Sequence, residues 1–438
     1  MRVAMVTPMA PESAIADVMT QAVAHLATEW EIDIWCPGSR TLRPSPVRVV
    51  PFAQPDLETA TALGAYDLVI YALGDSSFHA AILPLARRVP GLAVVHDASL
   101  TNLVLFTARQ DEWLEDLVAH VRREHGADKA AYLRDPGDSG GTETWLRLCA
   151  EVTLADVAVE HSLGAVVHSR WHAQQIDGRL LGDVSVARLP VPHAHGGNDE
   201  EIREVIQDRL DALDDDAVLL VTVGHVNANR GLGVLLAAIA EDPALKNVHL
   251  WAVGTHGAQV GTVVRLADEL GLGARFEVPG RVSDGELRAI LHRADIAAAL
   301  REPVLEGQSA SVLTQMQAGL PVIVYNHAHY AELPDDAVVK ASPVDRIASV
   351  REAIRSLAHD CDLRTAKGTA AREYVLGGST GAAYADGIRR AADLALARRP
   401  YVHLAEDLTS QLRRNGLSRK SVVIDNVTSI SLELFDLD

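Results

Sequence analysis

Glu302 and Glu306 stand in a polar loop, and Ser309, Ala310 and Ser311 open the helical pattern that follows. The whole segment 300–336, LREPVLEGQSASVLTQMQAGLPVIVYNHAHYAELPDD, reads as strand end, loop, helix, tight Gly turn, buried strand and a second loop. Free N–H groups at a helix start, reinforced by the helix dipole, suit an anion such as a diphosphate. Gly307 and Gln308 lie on the approach to that helix. A carboxylate just ahead of it repels phosphate, so Glu306 is expected to hold the hydroxyls of whatever the phosphate carries. An anion cradle beside a hydroxyl acceptor fits a nucleotide sugar.

Other loops offer complementary groups. After the first strand the chain reads PMAPESAIAD, where Ser13 and Ala14 are small enough for a diphosphate to approach the backbone; Ser13 serves equally as an ordinary helix cap. LAVVHDASL puts His96 and Asp97 past a strand end, where the imidazole can meet a hydroxyl or steady charge and Asp97 can orient it. YALGDSSFHA and AVVHSRWH set His79 and His168 at two further strand ends. In VTVGHVNANRG, Gly224 ends a strand, His225 and Asn229 follow, and Arg230 is a candidate diphosphate clamp at a helix start, where a cation otherwise gains nothing. Gly254 opens a glycine loop, and the backbone at Gly280, Arg281 and Val282 could line a nucleobase pocket. The P-loop, the dinucleotide glycine fingerprint and the hydrolase Ser elbow are absent from the sequence. Asp214–Asp216 reads as solvated charge before a strand, and no metal is expected.

These loops need a scaffold that brings strand ends together. Short apolar runs alternate with helical patterns, the signature of parallel α/β layers. Candidate strands are Val3–Thr7, Ile32–Trp35, Leu68–Tyr71, Ala93–Val95 and Ala165–Val167, then Ala217–Val223, His249–Val253, Arg275–Pro279, Ile296–Leu300 and Val322–Val324. Ile15–Ala27 has helical spacing, and Gln110–Val157 reads as a mostly helical insert broken by DPGDSGGTE. The 438 residues suffice for two cores. The expected fold is α/β, with two Rossmann-like doubly wound domains at 1–195 and 196–385 facing a central cleft. A tail at 386–438 packs partly back on the first domain, and HGGNDEE (His195–Glu201) serves as linker. Ligands in such sheets bind at the carboxyl ends of the strands.

A net charge of −19 argues against nucleic acid or an anionic membrane as main partner, so an anionic ligand needs a local cluster of donors. No apolar run approaches the roughly 20 residues of a membrane span. Three scattered cysteines, Cys36, Cys149 and Cys361, make a disulfide framework unexpected; with no export leader visible, the expected setting is cytoplasmic.

Taken together, SAIADV, GDSSFH, VVHD, VVHS, GHVNANRG, LREP and EGQS occur in an order and spacing that resembles the retaining family-4 glycosyltransferases of GT-B fold, glycosyltransferase group 1, over nearly the whole chain. The resemblance implies metal-independent transfer of a sugar from a nucleoside diphosphate sugar, GDP- or UDP-linked, with no cofactor beyond that co-substrate. By position, Arg230 stands for the family's diphosphate-binding Lys, His96 for its His near the donor sugar, and Glu306 for the first of its paired Glu residues. Ser13, Ala14, Gly224, His225, Asn229, Gly254, Arg281, Val282, Gly307–Ser311 and Thr314 fall on the donor side. Asp17, His79, Asp97 and His168 fall on the acceptor side. The chain departs from the pattern where Thr314 replaces the second Glu, which usually holds the ribose, where Ser309 and Ala14 replace glycines, and where His225 replaces an Arg. The implied partners are the donor, a small-molecule or glycan acceptor and a second copy in a homodimer. Alternatives are a soluble antibiotic-pathway enzyme glycosylating a small thiol of ergothioneine type, a nucleotide-sugar epimerase, a non-catalytic sugar-nucleotide binder, and an inverting enzyme using His79 or Asp97 as base.

Overall fold

The structure, a computed structural model, describes residues 1–38, 41–52, 54–136, 141–176, 178, 180–191, 202–257 and 259–415. The expected linker His195–Glu201 and the end of the expected 386–438 tail lie outside the described residues.

Two parallel sheets dominate. The first holds β1 (Arg2–Val6), β2 (Glu31–Pro37), β3 (Val49–Phe52), β4 (Leu68–Leu73), β5 (Leu92–Val95), β6 (Gly164–Val167) and β7 (Asp183–Val186), in the order β3-β2-β1-β4-β5-β6-β7. The second holds β8 (Val218–Val223), β9 (Val248–Val253), β10 (Phe276–Gly280), β11 (Ile296–Ala299), β12 (Val322–Tyr325) and β13 (Val338–Ala341), in the order β10-β9-β8-β11-β12-β13. Central strands are apolar along their whole length because helices cover both faces: every residue of β4, LVIYAL, is buried. Strand order reverses beside β1 in one sheet and beside β8 in the other, the switch points where such sheets open a crevice.

All ten expected strands form, each within about two residues of the expected ends. Three more, β3, β7 and β13, were not expected. All three are sheet edges, and β3 carries Pro51 while β7 is DVSV. An edge strand needs only one bonded flank and tolerates polar residues and proline, so it lacks the continuous apolar run used to find the others.

The helix Ala14–Leu26 starts where Ser13 accepts a hydrogen bond from Ala16 N (3.2 Å), a cap worth about 1 kcal/mol. A helix from Gly381 to Arg414 runs through Pro400 and lies on the first sheet, against the helix Ala14–Leu26 and strands β6 and β7. Its buried Tyr384, Ala385, Ile388 and Ala392 join that core, and Arg398 pairs with Asp183 at 3.1 Å. Across the interface, Ser99 N donates to Leu305 O (3.0 Å), Gly307 N to His96 O (3.0 Å) and Ser169 Oγ to Gly307 O (2.8 Å).

Candidate active site

A cavity of about 520 Å³ opens between the sheets, lined by the loops that leave β1, β5, β8, β10 and β11. Its size suits a small-molecule ligand. Four arginines reach its wall: Arg43 from the first domain, and Arg230, Arg281 and Arg301 from the second. In a chain of net charge −19 this is the local positive cluster that an anionic ligand requires.

Arg230 is placed by its own strand. Its Nε donates to His225 O (2.9 Å) and its Nη1 to Val223 O (3.0 Å), folding the side chain over the end of β8. Gly224, at φ +125°, makes this possible, since a Cβ there would run into the guanidinium. Nη2 has no hydrogen-bond partner among the described residues. Burial, and then the nearby charge of Arg301, pulls the guanidinium down to about 9, so an anion at this point would relieve both penalties.

The helix Ala310–Gln317 points its start at the same cavity. Its cap residue Ser309 accepts no side-chain capping bond; instead Ser309 Oγ and Ser311 Oγ share a hydrogen bond at 3.2 Å. The first N–H groups are therefore left for a ligand, with the dipole's positive end behind them.

Glu306 sits ahead of that helix. Burial alone would raise its carboxyl, but Arg301 (Nε to Oε1, 3.5 Å), His329 (Nε2 at 4.0 Å) and Tyr330, whose hydroxyl donates at 2.8 Å, hold it well below the usual carboxylate range. It is a fixed anion, suited to accepting hydroxyl hydrogens rather than to carrying protons. Its backbone bridges that of Asp97, which joins the two walls.

On the first-domain wall stand Ala14, Ile15, Asp17, His96 and Asp97. Asp17 pairs with Arg43 at 2.7 Å, both nearly enclosed. Asp97 Oδ2 accepts a hydrogen bond from Asp75 N (2.8 Å); burial, with added repulsion from Asp75 and Glu306, lifts its carboxyl to about 7. His96 is buried, and desolvation with its histidine neighbours pushes its imidazole well below its ordinary value, so it is neutral at physiological pH.

Of the residues expected at the site, Ala14, Asp17, His96, Asp97, Arg230, Arg281, Glu306, Gln308, Ser309, Ala310 and Ser311 share this one cavity. Others are placed differently. Ser13 is a buried helix cap. His225 is exposed and bonds Thr255 Oγ1 through Nδ1 (2.6 Å). Gly254, at φ +149°, lies against the backbone of Gly224, so both glycines serve the packing of strand ends. Asn229 donates to Pro303 O (3.1 Å) and faces a separate cavity with Tyr325 and Arg346. Val282 packs against the apolar core. Gly307 backs onto His172 of the first domain, and Gln308 uses its Oε1 to accept from Leu189 N (2.7 Å). Thr314 turns its hydroxyl to Ala310 O (3.1 Å) and faces a neighbouring groove lined by Leu287, Arg288, His292 and Arg372. His79 is enclosed against Ala72 O (2.9 Å), and His168 lies behind His96 rather than on the cavity wall.

Arg43, Asp284 and Arg301 line the cavity and were not expected there. Arg301 had a legible signal: a cation one step past a strand end and five residues before the key carboxylate. Arg43 and Asp284 had none, because only tertiary folding brings them to this wall.

Two doubly wound domains with a binding cleft at their facing strand ends define the GT-B architecture. Among solved structures, WaaG, a glycosyltransferase involved in lipopolysaccharide biosynthesis, superposes with a TM-score of 0.55 at 16% identity, covering 90% of this chain and 99% of its own. Sucrose-phosphate synthase from Thermosynechococcus elongatus gives 0.58 at 15%, covering 92% and 99%, and Anabaena Alr3699/HepE, solved in complex with UDP, gives 0.60 at 12%, covering 89% and 99%. Residues 205–374, which span most of the second domain, match the model of the family described as Glycosyl transferases group 1. No curated protein matches the sequence.

Proposed function

We propose that the protein transfers a sugar from a nucleoside diphosphate sugar to an acceptor in the cleft, with retention at the anomeric carbon and without a metal ion. The observation that carries this reading is one cavity holding Arg230, Arg281 and Arg301 beside the open start of the helix Ala310–Gln317, with the fixed anion of Glu306 next to them. As the C1–O bond breaks, negative charge grows on the leaving diphosphate and positive charge on the ring. Arg230 and the N–H groups at the helix start stabilise the first, and Glu306 accepts hydrogen bonds from the sugar hydroxyls. The departing phosphate oxygen takes the acceptor's proton on the face it leaves, so the new bond forms with retention.

The donor lies against the second domain and the acceptor against the wall of Ala14, Asp17 and Asp97. UDP is the first nucleotide to test, because the HepE neighbour is solved with it; GDP is the second. The acceptor is a small molecule or glycan, reached in the cytoplasm. Incubating the protein with UDP- and GDP-sugars, with chelator present, and scoring nucleotide release tests the reading. Release that requires added metal, or none with any sugar nucleotide, overturns it.

One observation favours a second reading. Asp97 lines the cavity with its carboxyl lifted to about 7, so it can take up a proton near neutrality and act as the base of an inverting transfer. Product anomer configuration decides: inversion, lost in Asp97→Asn, replaces the retaining mechanism.

A further inference from the structure

His96 is held by a chain of groups that ends in a backbone carbonyl. Ala187, just past β7, donates its N–H to Val167 O (2.8 Å), which fixes its own carbonyl beside β6. That carbonyl lies 3.0 Å from His168 Nδ1. A carbonyl oxygen can only accept, so Nδ1 of His168 carries the hydrogen. A neutral imidazole then has a bare Nε2, and His168 Nε2 lies 3.1 Å from His96 Nδ1. The bare nitrogen must accept, so His96 carries its hydrogen on Nδ1. What remains is His96 Nε2, a lone pair with no partner among the described residues, on a side chain that lines the cleft.

We propose that His168 is a positioning residue that locks His96 into the tautomer with a bare Nε2, so that His96 meets the bound sugar only as a hydrogen-bond acceptor. The relay explains why a second histidine belongs behind the first. An apolar residue at 168 would leave His96 Nδ1–H unsatisfied in a buried site, or free the ring to carry its hydrogen on Nε2. Packing holds His168 in place, with its ring 4.8 Å from that of His96 and 5.7 Å from that of Tyr384 on the helix Gly381–Arg414. Burial pulls His168 down to about 4, and the ring therefore stays neutral throughout the physiological range, as the relay requires. The hydroxyl that meets His96 must then donate, which selects a sugar with a free hydroxyl at that point over one bearing an ether or ester there. This last consequence rests on the glycosyl-transfer reading; the relay itself does not.

The test uses the full chain labelled with nitrogen-15 in its histidines. Two-bond proton–nitrogen spectra report which ring nitrogen is protonated, and the His96 pattern is assigned by its loss in His96→Gln. The wild type is expected to show Nδ1 protonated and Nε2 bare. In His168→Phe the pattern should move toward protonated Nε2, and in His168→Gln, whose amide oxygen can accept the same bond, it should be kept. Turnover of a nucleotide sugar should fall roughly 10- to 100-fold in kcat for His168→Phe, with little change in nucleotide affinity, and recover to within a few-fold of wild type in His168→Gln. A wild-type His96 protonated on Nε2, or a pattern that His168→Phe leaves unchanged, overturns the relay. Should no sugar nucleotide turn over in the wild type, the transfer reading falls, while the spectra still decide the relay.

Discussion

Replacing Arg301 with Met would strand the carboxylate of Glu306. The two side chains are 12% and 17% exposed and their charged atoms lie 3.5 Å apart. At an effective dielectric constant of about 20 that separation corresponds to an attraction of about 5 kcal/mol. Breaking a buried pair from one side costs about 3–5 kcal/mol, because the remaining charge keeps its desolvation penalty. Tyr330 still donates to Glu306 in the variant, which puts the expected loss near the lower end, about 3 kcal/mol. Glu306→Gln in the same background removes the stranded charge and should return most of that stability, while transfer activity stays lost in both variants. The sign with pH separates this from a packing defect. With Arg301 gone, burial is opposed only by His329 and Tyr330 and the Glu306 carboxyl moves up from its depressed value, so the deficit is largest at neutral pH and shrinks as acid protonates the carboxyl. Denaturant unfolding of wild type, single and double variants at neutral and acidic pH is the assay. A single variant within about 1 kcal/mol of wild type, or a double variant no more stable than the single, would refute the assignment of Arg301 as the counter-ion of Glu306.

Arg230→Ala should reduce turnover roughly 100- to 1000-fold with an unchanged melting temperature, since its hydrogen bonds are to its own strand end; steady-state kinetics beside a thermal melt checks this. Gly307→Ala would drive a methyl group into His172 and His96 O, and an overpacked contact of this kind costs about 1–3 kcal/mol; the variant should melt earlier and lose activity together. His79 and His168 are both pushed down by burial to about 4, so the unfolded chain binds protons that the folded one refuses. Stability from these groups is complete above about 6.5 and is lost as pH falls toward about 4; a melting temperature flat across that interval would contradict their enclosure. UDP or GDP at about 100 times its dissociation constant should add about 2.7 kcal/mol, read as a thermal shift.

The sequence made the scaffold visible where burial is two-sided. The runs in β1, β4, β5, β8 and β11 are apolar because both faces are covered, and these strands carry most of the loops that line the cleft. The candidate chemistry was visible in loops past strand ends: His96 directly follows β5, and Arg230 and Glu306 lie in the polar loops that leave β8 and β11. It was less visible where the fold reassigns a polar residue to structural service. His79 and His168 show the same strand-end pattern as His96, yet one is turned into the sheet and the other behind its neighbour, because the direction of a side chain past a strand end depends on the loop's path. Thr314 holds a motif position, but its hydroxyl is satisfied by its own helix one turn back. Arg43 meets Asp17 across 26 residues of chain, a pairing no local pattern announces.

The segment from Leu305 to Gln308 belongs by sequence to the second lobe, yet it is stitched to the first through Ser99, His96, Ser169 and Leu189. Parting the lobes must either rip out these threads or drag the strip along with the first lobe, away from Arg301. In the first case Glu306 keeps Arg301 but loses the wall of His96 and Asp97; in the second it leaves Arg301 behind. A gaping molecule would therefore be chemically silent, and the same seam that assembles the pocket would set how quickly a spent nucleotide escapes.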